Sequence, residues 1–384
     1  MFNPDDYDAG PDDVESLHLY ADGGLCPVYV KDFFQDERYE ILNKLGYGGH
    51  STVWAAQDHN TKSVVSIKVI MAKHSENNIE LRVLERLRDS PVYPGRQYLP
   101  TLLDHFYVGS NLFIVTELLG PSIRDFSSLG MSPKIPKQLV MAVDHLHRLD
   151  IVHGDIHGGN VLFRIPKYFE RELEVVEETV VTRKDGLPLE EGVPKTLVLP
   201  QEFDEVNNDE IEKFDCIQLI DFSGSFFMSD PPKTTHTVHN MSSPELIFGQ
   251  PLNKKIDIWT LTLTIYRIVT GEALFFAWDD RRNLIPQIYR VLGNADWLLA
   301  AWIGAVHEHK WDTLSQLHFE FFEECSSLED MLHKSCNISR KSGLKNTRDA
   351  AVIRFLKRGL TVDPSKRPTT VELLKERWIS KELL

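Results

Sequence analysis

The apolar residues of this chain change their spacing once, and that change constrains the fold most. Between Arg38 and Glu117 they fall in short runs, Arg38–Lys44, Ser51–Asp58, Val64–Met71, Leu102–Val108 and Leu112–Glu117, set apart by turn residues. Such runs predict five strands. One stretch among them, Ser75–Arg88, puts Ile79, Val83, Leu84 and Leu87 on one helical face. Beyond Leu119 helical spacing takes over. Lys134–Leu149 carries Leu139, Val140, Val143, Leu146 and Leu149 along one side, and Ala350–Ile379 is again helical in pattern. Ile256–Val269 is apolar nearly all round, which predicts a helix buried in a larger core. Strands first and helices later predict an α+β chain of two lobes: a small β-rich N-lobe over 38–119 and a large helical C-lobe over 120–380. With 384 residues the chain can bury both cores without a disulfide or metal staple.

Two segments break this pattern. Residues 1–20 are polar and acidic and predict a loosely attached arm, the first part of an N-terminal segment over 1–37. Residues 167–213 hold 14 acidic and 6 basic side chains, together with Pro188, Pro194 and Pro200. They predict an acidic, irregular surface insertion within the C-lobe. The whole chain carries −15. That charge disfavours direct contact with nucleic acid or an acidic membrane and favours a basic peptide. The longest apolar run, Leu298–Val306, is too short to span a bilayer. The start of the chain has neither the basic nor the apolar stretch of a secretion signal. Four scattered cysteines, Cys26, Cys216, Cys325 and Cys336, fit a reducing compartment. A cytoplasmic or nuclear location, or both, is expected, with the chain a monomer.

Four constellations carry chemistry. Leu45-Gly46-Tyr47-Gly48-Gly49-His50-Ser51-Thr52-Val53-Trp54 joins two predicted strands. Its glycines would let backbone amides approach phosphates, although a glycine-rich hairpin explains them too. Lys68, in Val65-Ser66-Ile67-Lys68, is either a snorkelling surface residue or a cation held extended by Glu80 of the following helix. Val152-His153-Gly154-Asp155-Ile156-His157-Gly158-Gly159-Asn160 is more specific. Its Asp155 and Asn160 bracket a tight loop, where Asp155 can accept a hydroxyl proton and Asn160 can offer an amide oxygen to Mg²⁺. His153 fits a packed structural role. Gln218-Leu219-Ile220-Asp221-Phe222-Ser223-Gly224 is an apolar strand ending in an acid, which suits a second Mg²⁺ ligand.

With Ser243-Pro244-Glu245, Asp257-Ile258-Trp259 and Asp363-Pro364-Ser365-Lys366-Arg367 in the same order, the chain resembles a eukaryotic protein kinase from about Arg38 to Trp378. The segment Tyr20–Val28 and the glycine loop are similar to those of the serine/arginine-rich-protein kinases, especially their fungal relatives. That family also carries an insertion before its metal-binding aspartate. The resemblance implies a kinase fold that uses ATP and Mg²⁺. The nucleotide would be bound by Leu45, Gly46, Gly48, Gly49, Val53, Ser66, Lys68, Glu117, Leu119 and Leu162, with Thr116 behind the adenine. Lys68, Glu80, Asp155, His157 and Asn160 would serve catalysis, and Asn160 and Asp221 would hold metal. Glu245 and Arg367 would form a buried ion pair, and Asp257 would anchor the catalytic loop.

The sequence departs from the family in four places. Gly154 replaces an arginine that senses activation-segment phosphate, which implies activity without that modification. His157 replaces a lysine that contacts the γ-phosphate, and a neutral imidazole stabilises developing charge less than an ammonium does. Were His157 protonated, activity would rise as the pH falls. Ser223 replaces a glycine next to Asp221 and Phe222 and would restrict their backbone. Ser66 replaces an alanine over the adenine. None of these removes a metal ligand or the proton acceptor. A serine/threonine kinase acting on basic, Arg-Ser-rich proteins is therefore expected. The alternatives are a nucleotide-binding scaffold and a small-molecule kinase of the aminoglycoside or choline type. Acids at Asp279, Asp280, Glu320, Glu323, Glu324, Glu329 and Asp330 are either a docking surface or a solvated face.

Overall fold

The computed structural model describes residues 2–8, 13–126, 129–165, 177–201, 214–277, 280–293, 296–307, 327–335 and 348–380. The chain divides into two compact units. One comprises Met1–Asp89, Pro100–Gly120 and Arg164–Phe214, and the other Ser90–Leu99, Pro121–Phe163 and Asp215–Leu384. No helix among the described residues is long and apolar enough to cross a membrane.

The first unit is built on one antiparallel sheet. Its strands are β1 (Phe33–Phe34), β2 (Tyr39–Gly48), β3 (Ser51–Asp58), β4 (Ser63–Ile70), β5 (Asp104–Val108) and β6 (Asn111–Glu117), in the order β1-β2-β3-β4-β6-β5. Alternation decides what each face carries. Tyr39, Ile41, Trp54, Ala56, Val65, Ile67, Val69, Phe106, Phe113 and Val115 bury together. Each such side chain contributes roughly 1.5–3 kcal/mol when fully buried. The intervening Ser66 and Lys68 of β4 therefore turn to the opposite face. There the register sets Lys68 beside Val53 and Ser66 beside Thr116. The Arg38 guanidinium ties the sheet's edge together. It donates to Asp58 at 3.1 and 2.9 Å and to Asp104 at 2.9 Å. Its bonds to Asp58 hold that carboxyl down at about 2.

Helix α1 (Ile79–Asp89) starts later than the sequence pattern predicts. The Ser75 hydroxyl is committed to the sheet, donating to the Met71 carbonyl at 2.9 Å and accepting from the Leu112 amide at 2.9 Å. Asn78 then caps the helix, its Oδ1 accepting from the Leu81 amide at 3.0 Å.

The N-terminal arm is packed, against the expectation of a loose attachment. Phe2, Tyr7, Val14, Leu17, Tyr20 and Leu25 bury with Met71 and with Val181, Val193 and Leu197 of the insertion. Apolar residues spaced among the aspartates supply enough buried surface to hold it. The described part of the insertion is also more regular than predicted. Glu178–Val180 pairs antiparallel with Thr196–Val198, and Thr182–Arg183 pairs with Tyr7–Asp8 of the arm. This part groups with the first unit. Residues 167–176 and 202–213 of the predicted insertion lie outside the described residues. Beneath the arm Lys44 and Glu15 form an ion pair at 0% and 1% exposure, and the Lys44 Nζ also donates to the Val198 carbonyl at 3.1 Å.

The second unit is helical. Helix α2 (Lys134–Arg148) buries Leu139, Val140, Val143 and Leu146, as its stripe predicts. Helix α3 (Lys255–Thr270) has 13 of its 16 residues buried, in line with its all-round apolar sequence. The C-terminal pattern resolves into three helices, Arg348–Gly359, Thr370–Leu373 and Arg377–Ser380. Asp363–Pro368 interrupts it, and Thr369 and Glu372 restart the helix with a capping box. Arg367 is fully buried in that break. It grips Glu245 with two bonds of 2.7 and 2.9 Å and also donates to the carbonyls of Thr361 and Lys255. Of the acids noted for docking, Asp280 binds Arg282, Glu329 binds Lys357, and Asp330 accepts from Ser327. Asp279, Glu320, Glu323 and Glu324 lie outside the described residues.

Candidate active site

In the first unit the glycine segment is a β2–β3 hairpin closing at Gly48 and Ser51. A Cβ added at Gly46, Gly48 or Gly49 would meet nothing within 4 Å. Packing therefore does not require glycine there, and the hairpin backbone is open to close approach by a ligand. Leu45 is skipped in the pairing between Lys44 and Gly46, while Val53 stands opposite Gly46. Lys68 is no snorkelling residue: its Nζ lies 2.6 Å from Glu80 Oε2 on the buried side of α1. Ser66, Thr116 and Glu117 follow along β4 and β6. The Glu117 carboxylate accepts from the Thr101 amide at 2.7 Å, and Leu119 is buried just beyond it.

The second unit assembles the acidic residues. Asp257, near the start of α3, is buried and accepts from the backbone amides of His153 at 2.8 Å and Gly154 at 2.9 Å, and bonds His147 at 2.9 Å. A rigid helix thus fixes the loop that carries Asp155. His153 is structural, as its sequence setting suggests. Its Nε2–H donates to the Ile220 carbonyl at 3.0 Å and its Nδ1 accepts from the Asp155 amide at 3.3 Å. That pattern requires a neutral ring, and burial pushes its pKa down. Asp155 Oδ1 accepts from the Val238 amide at 3.3 Å. Asn160 Nδ2 donates to the Asp155 carbonyl at 3.0 Å, which fixes the amide and leaves its oxygen as the acceptor.

Asp221 joins them through strand pairing. Val161 stands opposite Leu219, and the Ile220 amide donates to the Asn160 carbonyl at 2.9 Å. Leu162 lies in the same ladder, opposite Gln218. Asp221 has φ of +65°, a left-handed backbone for a non-glycine residue. Such strain is held by its surroundings. Here Asp221 Oδ1 accepts from the Ser223 amide at 3.2 Å, and Phe222 is buried with its ring 5.4 Å from that of His153. Ser223 itself is not among the positive-φ residues, so the serine replaces glycine there without left-handed strain. Asn160 and Asp221 offer two hard oxygen ligands from adjacent strand ends. This fits Mg²⁺, which takes one or two protein groups and completes its shell with phosphate and water.

Gly154 has a different basis. Its φ is +79°, and a Cβ there would lie 2.3 Å from the Gly224 carbonyl oxygen. The close approach of the two loops accounts for glycine at this position. His157 Nδ1 accepts from the Gly159 amide at 3.0 Å, so the ring hydrogen of the neutral form sits on Nε2, 3.6 Å from Asp155 Oδ2. The sequence reading passes over Thr237, whose hydroxyl donates to the Gly154 carbonyl, and Ser225, which donates to the His153 carbonyl at 2.9 Å. Both latch the catalytic loop from a segment with no periodic signal.

With this geometry in place, the match to the protein kinase domain over residues 39–173 and 203–379 places the chain in the protein kinase family. The break between the two stretches falls within the acidic insertion. Among curated relatives, the serine/threonine-protein kinase AFC1 of Arabidopsis thaliana is 28% identical over 74% of this chain and 56% of its own length. Protein kinase dsk1 of Schizosaccharomyces pombe is 33% identical over 43% of this chain and 34% of its own length. The chain thus spans about half or less of these two proteins. A serine/threonine protein kinase of Aspergillus fumigatus is 25% identical over 95% of this chain and 90% of its own length. This set of fungal and plant kinases is consistent with the resemblance to serine/arginine-rich-protein kinases.

Proposed function

We propose that the chain is an ATP-dependent serine/threonine protein kinase. The observation that carries this reading is the loop from His153 to Asn160, fixed by Asp257, with Asp155 and Asn160 presented beside Asp221. Asp155 orients the acceptor hydroxyl and takes its proton. Lys68, held by Glu80, binds the α- and β-phosphates, and the Gly46–Gly49 backbone covers them. Asn160 and Asp221 would hold Mg²⁺, which would supply charge neutralisation for the transferring phosphoryl group. His157 offers its Nε2–H where a lysine would offer an ammonium. Positioning and charge stabilisation supply most of the rate.

As acceptor we propose a seryl or threonyl hydroxyl on a basic, Arg-Ser-rich protein, a reading supported by the net charge of −15. The test is phosphate transfer from Mg²⁺-ATP to an Arg-Ser peptide and to an uncharged serine peptide, with Lys68→Met and Asp155→Asn as controls. Transfer is expected to fall on the order of 10²-fold or more in Asp155→Asn. Undiminished transfer in that variant overturns the assignment. ATP binding without any transfer favours the scaffold.

A further inference from the structure

Inside the unit that carries Asp155 lies a cavity of about 190 Å³, lined on one side by His157 and its two following glycines. That volume suits one side-chain head group and falls below the roughly 300–1,000 Å³ of sites for whole small molecules. Its other walls include Arg124, Arg267, Asn240, Val238 and Phe275, and no acidic residue among the described ones lines it. Arg267 stands on the last turn of the buried helix α3, and its Nε is buried with no hydrogen-bond partner. The Oδ1 of Asn240 is likewise buried and unpartnered. No carboxylate among the described residues pairs with Arg124 or Arg267. Asp125, next to Arg124, is occupied in a capping box, its carboxylate accepting from the Ser122 amide and hydroxyl at 2.8 and 2.9 Å.

Arg267, whose Nε is buried without a partner, has no counter-ion among the described residues, and the exposed Arg124 adds a second positive charge at the same cavity, an arrangement that favours an anion. Their planar forks suit the paired oxygens of a carboxylate or phosphate. The cavity adjoins His157, whose Nε2 is 3.6 Å from Asp155, so its occupant sits close to the acceptor hydroxyl. We propose that this cavity is a substrate subsite for an anionic group, carboxylate or phosphate monoester, on a residue flanking the acceptor serine or threonine. The proposal rests on the kinase reading above and deepens it. It is compatible with a basic substrate overall. The acidic surface attracts over a screening length of about 8–10 Å, whereas the subsite acts at contact.

The test uses the full chain and otherwise identical serine peptides with phosphoserine, glutamate, alanine or arginine at each position near the acceptor in turn. kcat/KM is measured for the wild type, Arg124→Ala, Arg267→Gln and Arg267→Glu. At one or more positions the anionic peptide is expected to exceed the alanine peptide by roughly tenfold, the effect of one charge-assisted hydrogen bond. Arg124→Ala or Arg267→Gln should abolish that preference while leaving the alanine peptide within about twofold, and Arg267→Glu should shift it towards arginine. Phosphoserine well above glutamate identifies a phosphate as the ligand, and equal rates identify any carboxylate or phosphate. If alanine or arginine peptides match or beat the anionic ones at every position, the subsite is overturned and the kinase reading stands. Fluorescence anisotropy of the same peptides needs no transfer and decides the matter if turnover fails. Tighter binding of anionic peptides, lost in Arg267→Gln, supports the subsite, and equal binding overturns it. If Arg267→Glu does not fold, Arg124→Ala and the wild-type peptide series still decide.

Discussion

Replacing Glu15 with leucine should damage the chain out of proportion to the residue's place in an acidic arm. Lys44 has no water to fall back on, since it is fully buried and Glu15 is 1% exposed. Without Glu15 its ammonium keeps only the Val198 carbonyl at 3.1 Å and the rings of Tyr47 and Trp54 at 5.3 and 5.6 Å. Breaking one partner out of a buried pair costs about 3–5 kcal/mol. Lys44→Met should cost a similar amount, because it strands the Glu15 carboxylate with the Tyr20 hydroxyl as its remaining partner. The double variant, Glu15→Leu with Lys44→Met, leaves no buried charge. It should cost only about 1–3 kcal/mol for the buried Tyr20 hydroxyl left without its partner. Urea unfolding of the four proteins gives the coupling energy directly, and several kcal/mol is expected. The pH dependence adds a check. Burial lowers the Lys44 pKa while Glu15 raises it. In Glu15→Leu only the lowering remains, so the unfolded chain binds more protons than the folded one, and the deficit should shrink as pH rises towards 10.5. Single variants that each cost under about 1 kcal/mol and simply add would refute the reasoning.

Gly154→Arg should not gain a phosphate sensor. It should lose about 2 kcal/mol or more, from left-handed strain plus the clash with the Gly224 carbonyl, and thermal unfolding would show a lowered midpoint. His157→Lys should raise kcat several-fold at neutral pH by supplying a permanent positive charge, and steady-state kinetics that show no gain would count against a phosphate contact there. Asp58 is held at about 2 by Arg38, below its unfolded value of 3.8, so its stabilisation is present above about pH 4 and lost as pH falls towards 2. Urea midpoints between about pH 2 and 5 should flatten in Asp58→Asn relative to the wild type.

The parts legible in the sequence are those governed by neighbours along the chain. Alternation in β4 puts Lys68 on the face opposite Ile67, and near-continuous apolarity buries α3. The loop from His153 to Asn160 fits within eight residues, so its chemistry shows as a motif. The arm is misleading because averaging over its aspartates hides Phe2, Tyr7, Leu17 and Tyr20, whose burial depends on partners in the insertion far along the chain. The start of α1 departs from its periodic pattern because the Ser75 hydroxyl is claimed by Leu112, a residue on another strand.

The sequence by itself determined the two-part α+β division, the helix-bearing half and which acids and lysine stand as candidates for phosphoryl transfer. These depend on spacing and residue type, which are one-dimensional. Only the tertiary structure decided why position 154 is glycine, why Asp221 bears the backbone strain while Ser223 does not, and that Arg124 and Arg267 line one cavity with no counter-ion among the described residues. Each of these depends on the approach of segments distant in sequence, where sterics and Coulomb forces act through space and leave no periodic trace along the chain.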